Sequence, residues 1–175
     1  EAHPGQSWPV DSLFGFESLQ IHDRLYGTAY FAPTFAKWVK AVESTKDPKT
    51  GLHVSFLHLD GRPRDVPRGC ALSWSLAVLP RLDPTLAAAQ WALYKQHFFS
   101  CAAGVCLVRE WPPGVDRPAD VDSGPVVNGM GMSATAFALA AARANGDADT
   151  AAALERLGES FGSPVVTDAG KRYLD

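Results

Sequence analysis

Three pairs of helical segments, repeated at a nearly constant step, constrain this chain more than any other feature of its sequence. The segments that open the pairs begin near Pro9, Arg68 and Pro125, so successive openings lie 59 and 57 residues apart. A fixed step with one helix–turn–helix in each unit is typical of repeat architectures. We therefore predict an all-α fold of three helical hairpins in a single domain, residues 1–175.

Apolar spacing and capping signals define the individual helices. Pro9 and Pro84 suit the first turn of a helix, Asp83 is a good N-cap, and Gly27 is a stop signal. The six predicted helices run from Pro9 to about Gly27, Tyr30 to Ser44, Gly69 to near Pro80, Thr85 to about Phe99, Val126 to Ala144 and Asp147 to Phe161. Residues 52–59 can form a short strand, and we expect residues 102–124 and 164–175 to be irregular.

The first helix of each pair differs from the second in what precedes it. First helices follow irregular loops with Gly, Pro and charged residues, whereas second helices follow short, plain connections. This asymmetry predicts two layers, in which the first helices are adjacent, more buried than the second ones, and aligned with their N-termini on one side. The partial positive charge of helix N-termini favours anionic or polar groups there.

Several short blocks carry a resemblance to a known group of proteins. They are Arg109–Gly114 and Asp120–Pro125, followed by Gly129–Thr135, with support from Trp8–Asp11 and Pro67–Gly69. These blocks resemble bacterial proteins related to the linalool dehydratase/isomerase-like group, and the hairpin pattern resembles that of α/α toroids, the glycosidase-like ones included. The resemblance implies a closed ring of hairpins with alternating inner and outer helices. Three hairpins would then form half of an α/α toroid.

A half-ring leaves helix faces without neighbours. The first helix is unlike the polar cap that ends a repeat array. Its apolar residues spread over more than one face; they are Leu13, Phe14, Phe16, Leu19, Ile21 and Leu25. An exposed apolar edge of this size is unusual in a soluble monomer. We therefore expect self-association or coverage by a missing N-terminal half.

Four carboxylates are candidate catalytic residues: Glu110, Asp120, Asp122 and Asp11. Separated carboxylates near a helix entrance can act as acid and base, and an aromatic neighbour can raise a carboxyl pKa. Each also has a plain structural interpretation. Asp122 or Ser123 can cap the fifth helix, and Asp11 can stabilise a helix N-terminus. Glu110 can fix its loop through an ion pair with Arg109 or a distant cation.

Candidate substrate-binding residues are Arg68, Trp8, Trp74 and Trp111. Arg68 can clamp a carboxylate or phosphate, or anchor one of the aspartates. The three tryptophans can line a cavity and stack on a sugar or a terpenoid chain, although packing in the core is the commoner use of tryptophan.

Cysteine and histidine provide few further signals. Cys70 opens the third helix, where a thiol can be activated, but no histidine lies nearby in the sequence and we interpret it as buried and inert. Cys101 and Cys106 can pair across a turn or stay free, which leaves the compartment open. No His-x-x-x-His or Cys-x-x-Cys motif and no dinucleotide or phosphate loop occurs, so we expect no metal and no cofactor.

Composition narrows the functional classes. The net charge is −3, no cluster of Lys and Arg occurs, and no run of apolar residues is long enough for a membrane span. Nucleic-acid binding and membrane insertion are therefore not expected. The leading hypothesis is an enzyme with a carboxylate-lined cavity for a small molecule or carbohydrate, either a dehydratase/isomerase or a carbohydrate-active hydrolase or lyase. The alternative is a non-catalytic helical-repeat module for binding or assembly.

Overall fold

A computed structural model describes residue 5, residues 7–168 and residues 170–173, and this part of the chain is mostly helical. Its helices are α1 (Pro9–Tyr26), α2 (Phe31–Glu43), α3 (Gly69–Leu82), α4 (Pro84–Phe98), α5 (Met132–Ala144) and α6 (Ala148–Phe161). Three antiparallel two-stranded hairpins accompany them: β1 (Phe99–Ala102) with β2 (Val105–Val108), β3 (Val126–Val127) with β4 (Met130–Gly131), and β5 (Pro164–Thr167) with β6 (Gly170–Tyr173). The six predicted helices are confirmed, and the expectation of helices alone is corrected.

Helix α3 lies at the centre of the fold and packs against α1, α4 and α5. One core cluster joins α3 to α4, α5, α6 and β2 around Leu76, Tyr94 and Phe98, and a second joins α3 to α1 and α2 around Leu13 and Leu79. Helices α1 and α5 both pack against α3, so the opening helices of the three pairs lie side by side, as predicted. Since α1 packs mainly against α2 and α3, it buries three side chains, fewer than the five of α4 and the four of α6. The prediction that every first helix is more buried than every second helix is therefore wrong for α1.

The segment before α5 differs most from the sequence-based prediction. The fifth helix was predicted to begin at Val126, but it begins at Met132, and the residues before it form the β3–β4 hairpin. Asn128 and Gly129 both have positive φ, which matches the turn that joins two strands through two residues. An Asn-Gly pair is the strongest short hairpin signal, so this element was readable from the sequence.

Three other local predictions are also wrong. The region from Leu52 to Leu59 is largely irregular, with isolated bridges from Leu57 to Ser7 and to Pro63 instead of a strand. The chain after Pro164 was expected to be irregular, but residues 164–167 pair with residues 170–173. Within the region 102–124, strand β2 likewise replaces part of the expected irregular stretch.

Candidate functional site

Backbone hydrogen bonds fix Glu110 at the junction of three elements. It follows β2, its amide donates to the carbonyl of Gly129 at 2.9 Å, and its carbonyl accepts from the amide of Gly69 at 2.8 Å. The approach of these backbones requires residues without a side chain. A Cβ on Gly69 would lie 1.9 Å from the carbonyl oxygen of Arg109, and one on Gly131 would lie 2.8 Å from Oε2 of Glu110.

The Glu110 carboxylate is fully buried and accepts three hydrogen bonds. Oε1 accepts from Nε of Arg68 at 2.9 Å and from Sγ of Cys70 at 3.0 Å, while Oε2 accepts from the amide of Cys70 at 3.2 Å. The amide belongs to the first turn of α3, where backbone N–H groups have no partner within the helix. The carboxylate therefore takes the place of a side-chain cap for α3.

Burial changes the proton affinity of this group and of its thiol partner. It raises the pKa of Glu110 above the ordinary value for a glutamate, although the hydrogen bonds from Cys70 and Arg68 oppose that change. Burial, together with the neighbouring Glu110 carboxylate, raises the pKa of Cys70 well above that of a free thiol. Cys70 is therefore a neutral thiol at neutral pH, hydrogen-bonded to a carboxyl group with increased proton affinity.

Arg68 connects Glu110 to the aspartates of the loop before β3. Its Nη2 donates to Oδ1 of Asp120 at 2.7 Å, and its Nη1 lies 3.8 Å from Oδ2 of Asp122. Burial disfavours the charged guanidinium, but Asp120 and Glu110 outweigh it and raise the pKa of Arg68. Asp120 also accepts from the amides of Asp122 and Ser123, so the ion pair holds the loop in one conformation.

Trp111 packs against the Arg68 guanidinium of the same network. The Arg68 guanidinium is 4.5 Å from the centre of its ring, and that of Arg117 is 5.3 Å away. Arg117 in turn pairs with Asp65. The indole N–H of Trp111 is buried without a hydrogen-bond partner among the described residues. Trp111 therefore anchors the loop from inside the protein.

An open cleft of about 610 Å³ lies beside this network, at the N-terminal ends of α1 and α3. Three of its lining residues are Asp11, Asp122 and Cys70. Four others are aromatic: Trp8, Phe14, Trp74 and Phe137. Cys70 lies between the cleft and the buried Glu110 carboxylate. The cleft is therefore apolar over most of its wall and polar where the two helices begin.

The structure separates the eight residues proposed from sequence into two groups. Asp11, Asp122, Trp8 and Trp74 line the cleft, whereas Arg68, Glu110 and Trp111 are buried behind it. Asp120 is exposed and is connected to the buried group through its hydrogen bond from Arg68. The suggestion that Asp122 caps the fifth helix is wrong, because that helix begins at Met132 with Gly131 as its N-cap. Of the alternatives for Glu110, the distant ion pair is the one observed, with Arg68 as its cation.

Sequence reasoning set aside one residue that the structure brings into the site. Cys70 was interpreted as buried and inert; it is buried, yet it lines the cleft and bonds to Glu110. Its partner lies forty residues away in the chain, so local sequence held no sign of the pair. The available signal was its place at a helix start directly after Gly69.

Two structural features are absent from the described residues. In that part of the chain, no group of three or more His, Cys, Asp or Glu side chains is placed to hold a metal ion. None of the helices there combines the length and the apolar character needed to cross a membrane.

The fold and the site together define a mostly helical protein with an apolar cleft, beside which a buried thiol, carboxylate and guanidinium form one network. The sequence profile of the linalool dehydratase/isomerase family matches residues 4–175, and the chain belongs to that family. No curated protein matches the chain. The family membership supports the dehydratase/isomerase hypothesis and lends no support to a carbohydrate-active hydrolase.

Proposed function

We propose that this chain forms the reactive part of a dehydratase/isomerase that acts on a small, mostly apolar alcohol. The observation that carries the proposal is the hydrogen bond of 3.0 Å from the thiol of Cys70, a residue that lines the cleft, to the buried Glu110 carboxyl group. Linalool, after which the family is named, is an acyclic allylic alcohol with a hydrocarbon tail. An aromatic wall with a polar end suits a molecule of this shape.

Loss of water from such an alcohol requires a proton on the hydroxyl and a base for a proton on a neighbouring carbon. Glu110 has no exposed surface, so it acts through Cys70 and not on the substrate directly. The proposed step uses the protonated form of Glu110, in which the carboxyl group donates to the Cys70 sulfur. Cys70 passes its proton to the departing hydroxyl, and Glu110 returns one to the sulfur. Water leaves, and the raised pKa of Glu110 is consistent with this role as a proton reservoir.

The second proton transfer is assigned to the carboxylates that reach the cleft. Asp11 and Asp122 line it together with its aromatic residues. Either can accept the proton from the allylic cation, which forms the new double bond and completes dehydration. In isomerisation, water adds instead to the other end of the same cation, and the same carboxylate takes the proton that this water loses. Arg68 and Asp120 are positioning residues, because they contact Glu110 and the loop that carries Asp122.

Turnover of linalool, followed by gas chromatography of the vapour above the reaction, tests the proposal. We expect the wild-type protein to convert linalool to a dehydrated hydrocarbon, and Cys70→Ala to lower kcat/KM by roughly 10²–10⁴-fold, the usual range for a lost acid–base group. Cys70→Ser should recover part of the rate. Ser75→Ala is the matched control, since its hydroxyl bonds within α3 to the carbonyl of Ala71. Full activity of Cys70→Ala would contradict the proposal.

We also propose that the three hairpins are half of a larger toroid. The support is the outer face of α1, where Ile21 and Leu25 are 43% and 69% exposed. Light scattering of the protein should then show a dimer or larger assembly. A monomer that stays soluble with this face uncovered would argue for a self-contained domain of three hairpins.

A further inference from the structure

A second cleft continues from the first one along α3. Its volume is about 660 Å³, and it shares Phe14, Trp74 and Phe137 with the cleft that contains the Cys70 thiol. The remaining wall runs along α3 and α5 toward their C-terminal ends at Arg81 and Arg143. The two clefts therefore form one groove that is interrupted at the three aromatic rings.

Trp74 is the central ring of the interruption. Its indole meets Phe14 of α1 edge to face at 5.4 Å and Phe137 of α5 edge to face at 4.6 Å. Edge-to-face contacts at these distances are favourable and hold the rings in position. Trp74 thus spans the groove between α1 and α5, while 41% of its surface stays exposed.

The far cleft suits a hydrocarbon and not an anion. Between the rings and its end, the wall consists of the small apolar residues Ala77, Val78, Ala140 and Ala144. The two arginines at the end are already neutralised, because Arg81 pairs with Glu17 and Arg143 pairs with Glu155. An anionic ligand would have to compete with these carboxylates, whereas an apolar chain would not.

We infer that Trp74, with Phe14 and Phe137, sets the length of the substrate chain and that the far cleft accepts the tail of a longer alcohol when the indole is removed. This inference rests on the proposed function, since it places the hydroxyl at Cys70. From Cys70 to Arg81, α3 advances eleven residues, or about 16 Å at the rise of an α-helix. The near cleft alone covers only the first part of that length.

Binding of two related alcohols tests the inference. Linalool and nerolidol share the reacting group, and nerolidol carries one more isoprene unit. We expect calorimetric titration to show that the wild-type protein prefers linalool and that Trp74→Ala shifts the ratio of the two dissociation constants toward nerolidol by at least about tenfold, as small changes in an apolar pocket commonly do. Trp74→Phe should shift it less, and Leu25→Ala, on the exposed end of α1, should not shift it.

The other possible results distinguish failure of the inference on chain length from failure of the proposed function. If the wild-type protein binds linalool and the ratio is unchanged in Trp74→Ala, the inference on chain length is wrong and the proposed function stands. If the wild-type protein binds neither alcohol, both are wrong. A second copy of the chain in the far cleft would make nerolidol binding by Trp74→Ala weaken as protein concentration rises, and that result would also overturn the inference.

Discussion

The Sγ of Cys70 lies 3.0 Å from Oε1 of Glu110 and donates to it, and Cys70 lines the cleft whereas Glu110 is buried behind it. Cys70 lies in the first turn of α3 and Glu110 follows β2, so the helix and the hairpin must both be in place for this hydrogen bond to form. The Cys70–Glu110 hydrogen bond therefore depends on the tertiary fold, and the proposed chemistry depends on this hydrogen bond.

The first prediction concerns the pH dependence of turnover. If Glu110 must be protonated to return a proton to Cys70, then kcat/KM is highest below the raised pKa of Glu110 and falls as pH rises through it. Glu110→Gln keeps the shape of the group but has no proton to pass on, so its rate should be low and its profile flat over that pH range. Initial rates across a pH series check this. A wild-type rate that rises over the same range would contradict it.

The second prediction compares a buried ion pair with an exposed one. Glu110→Gln leaves the buried Arg68 with one carboxylate fewer, and we expect the free energy of unfolding to fall by about 3 kcal/mol. Glu155→Gln disrupts the exposed pair with Arg143 and should cost less than about 1 kcal/mol. Urea unfolding of the two variants provides the measurement. Equal losses would show that burial does not decide the difference.

The third prediction uses two glycines in helices. Gly69→Ala would place a Cβ 1.9 Å from a backbone oxygen that cannot easily move, so we expect a loss of about 3 kcal/mol or a failure to fold. Gly15→Ala, within α1, meets nothing within 4 Å and should stabilise the protein by about 0.5–1 kcal/mol. Denaturant midpoints for both variants decide the matter. A well-folded Gly69→Ala with wild-type stability would rule out the tight approach at this helix start.

The fourth prediction concerns acid stability through Asp147, the N-cap of α6. Partial burial opposes its ionisation, but the Lys95 ammonium, the Thr150 amide and the Trp91 indole outweigh it and lower its pKa to about 2. Because this pKa is below that of the unfolded chain, the stabilisation is complete above about pH 4 and is lost as pH falls toward 2. Asp147→Asn should therefore cost about 1–2 kcal/mol at neutral pH and nothing near pH 2.

Melting temperatures measured from about pH 7 to pH 2 give the comparison for Asp147→Asn. The matched control is Asp83→Asn at the N-cap of α4, where the cap hydrogen bond to the Leu86 amide is made without a lysine partner. Asparagine caps helices as well as aspartate does, so this control should change stability by less than about 0.5 kcal/mol. A difference in melting temperature between wild type and Asp147→Asn that is the same at all pH values would contradict the prediction.

The fifth prediction concerns the disulfide between Cys101 and Cys106, which joins paired positions of β1 and β2. Alkylation of the unfolded, unreduced protein should label a single thiol, that of Cys70, and prior reduction should raise the count to three. Since the bond closes a short loop, its removal in a Cys101→Ser, Cys106→Ser double variant should cost about 2 kcal/mol. Mass spectrometry and urea unfolding provide the two measurements, and three labelled thiols before reduction would exclude the bond.

Local signals in the sequence were sufficient to identify the six helices, although not every helix boundary. Pro9, Asp83 and Gly27 act within one helical turn, because a missing N–H, a capping oxygen or a left-handed glycine affects only its immediate neighbours. These signals placed the ends of α1 and α4 close to their observed positions. The start of α5 was missed because its stretch of small residues was interpreted as helix, although Asn128 and Gly129 together specify a hairpin turn.

The sequence by itself determined where helices form, which helices pair along the chain, and which charged residues stand before them. Only the tertiary structure decided how those charges are used, since Arg68 meets Glu110 and Asp120 across 42 and 52 residues of chain. Burial, which raises the pKa of Glu110 and of Cys70, is likewise a property of the packed helices and not of either residue's neighbours in sequence. Capping and helical periodicity act over a few residues, whereas desolvation and ion pairing depend on distances in space that the chain acquires only when α3, β2 and the loop before β3 come together.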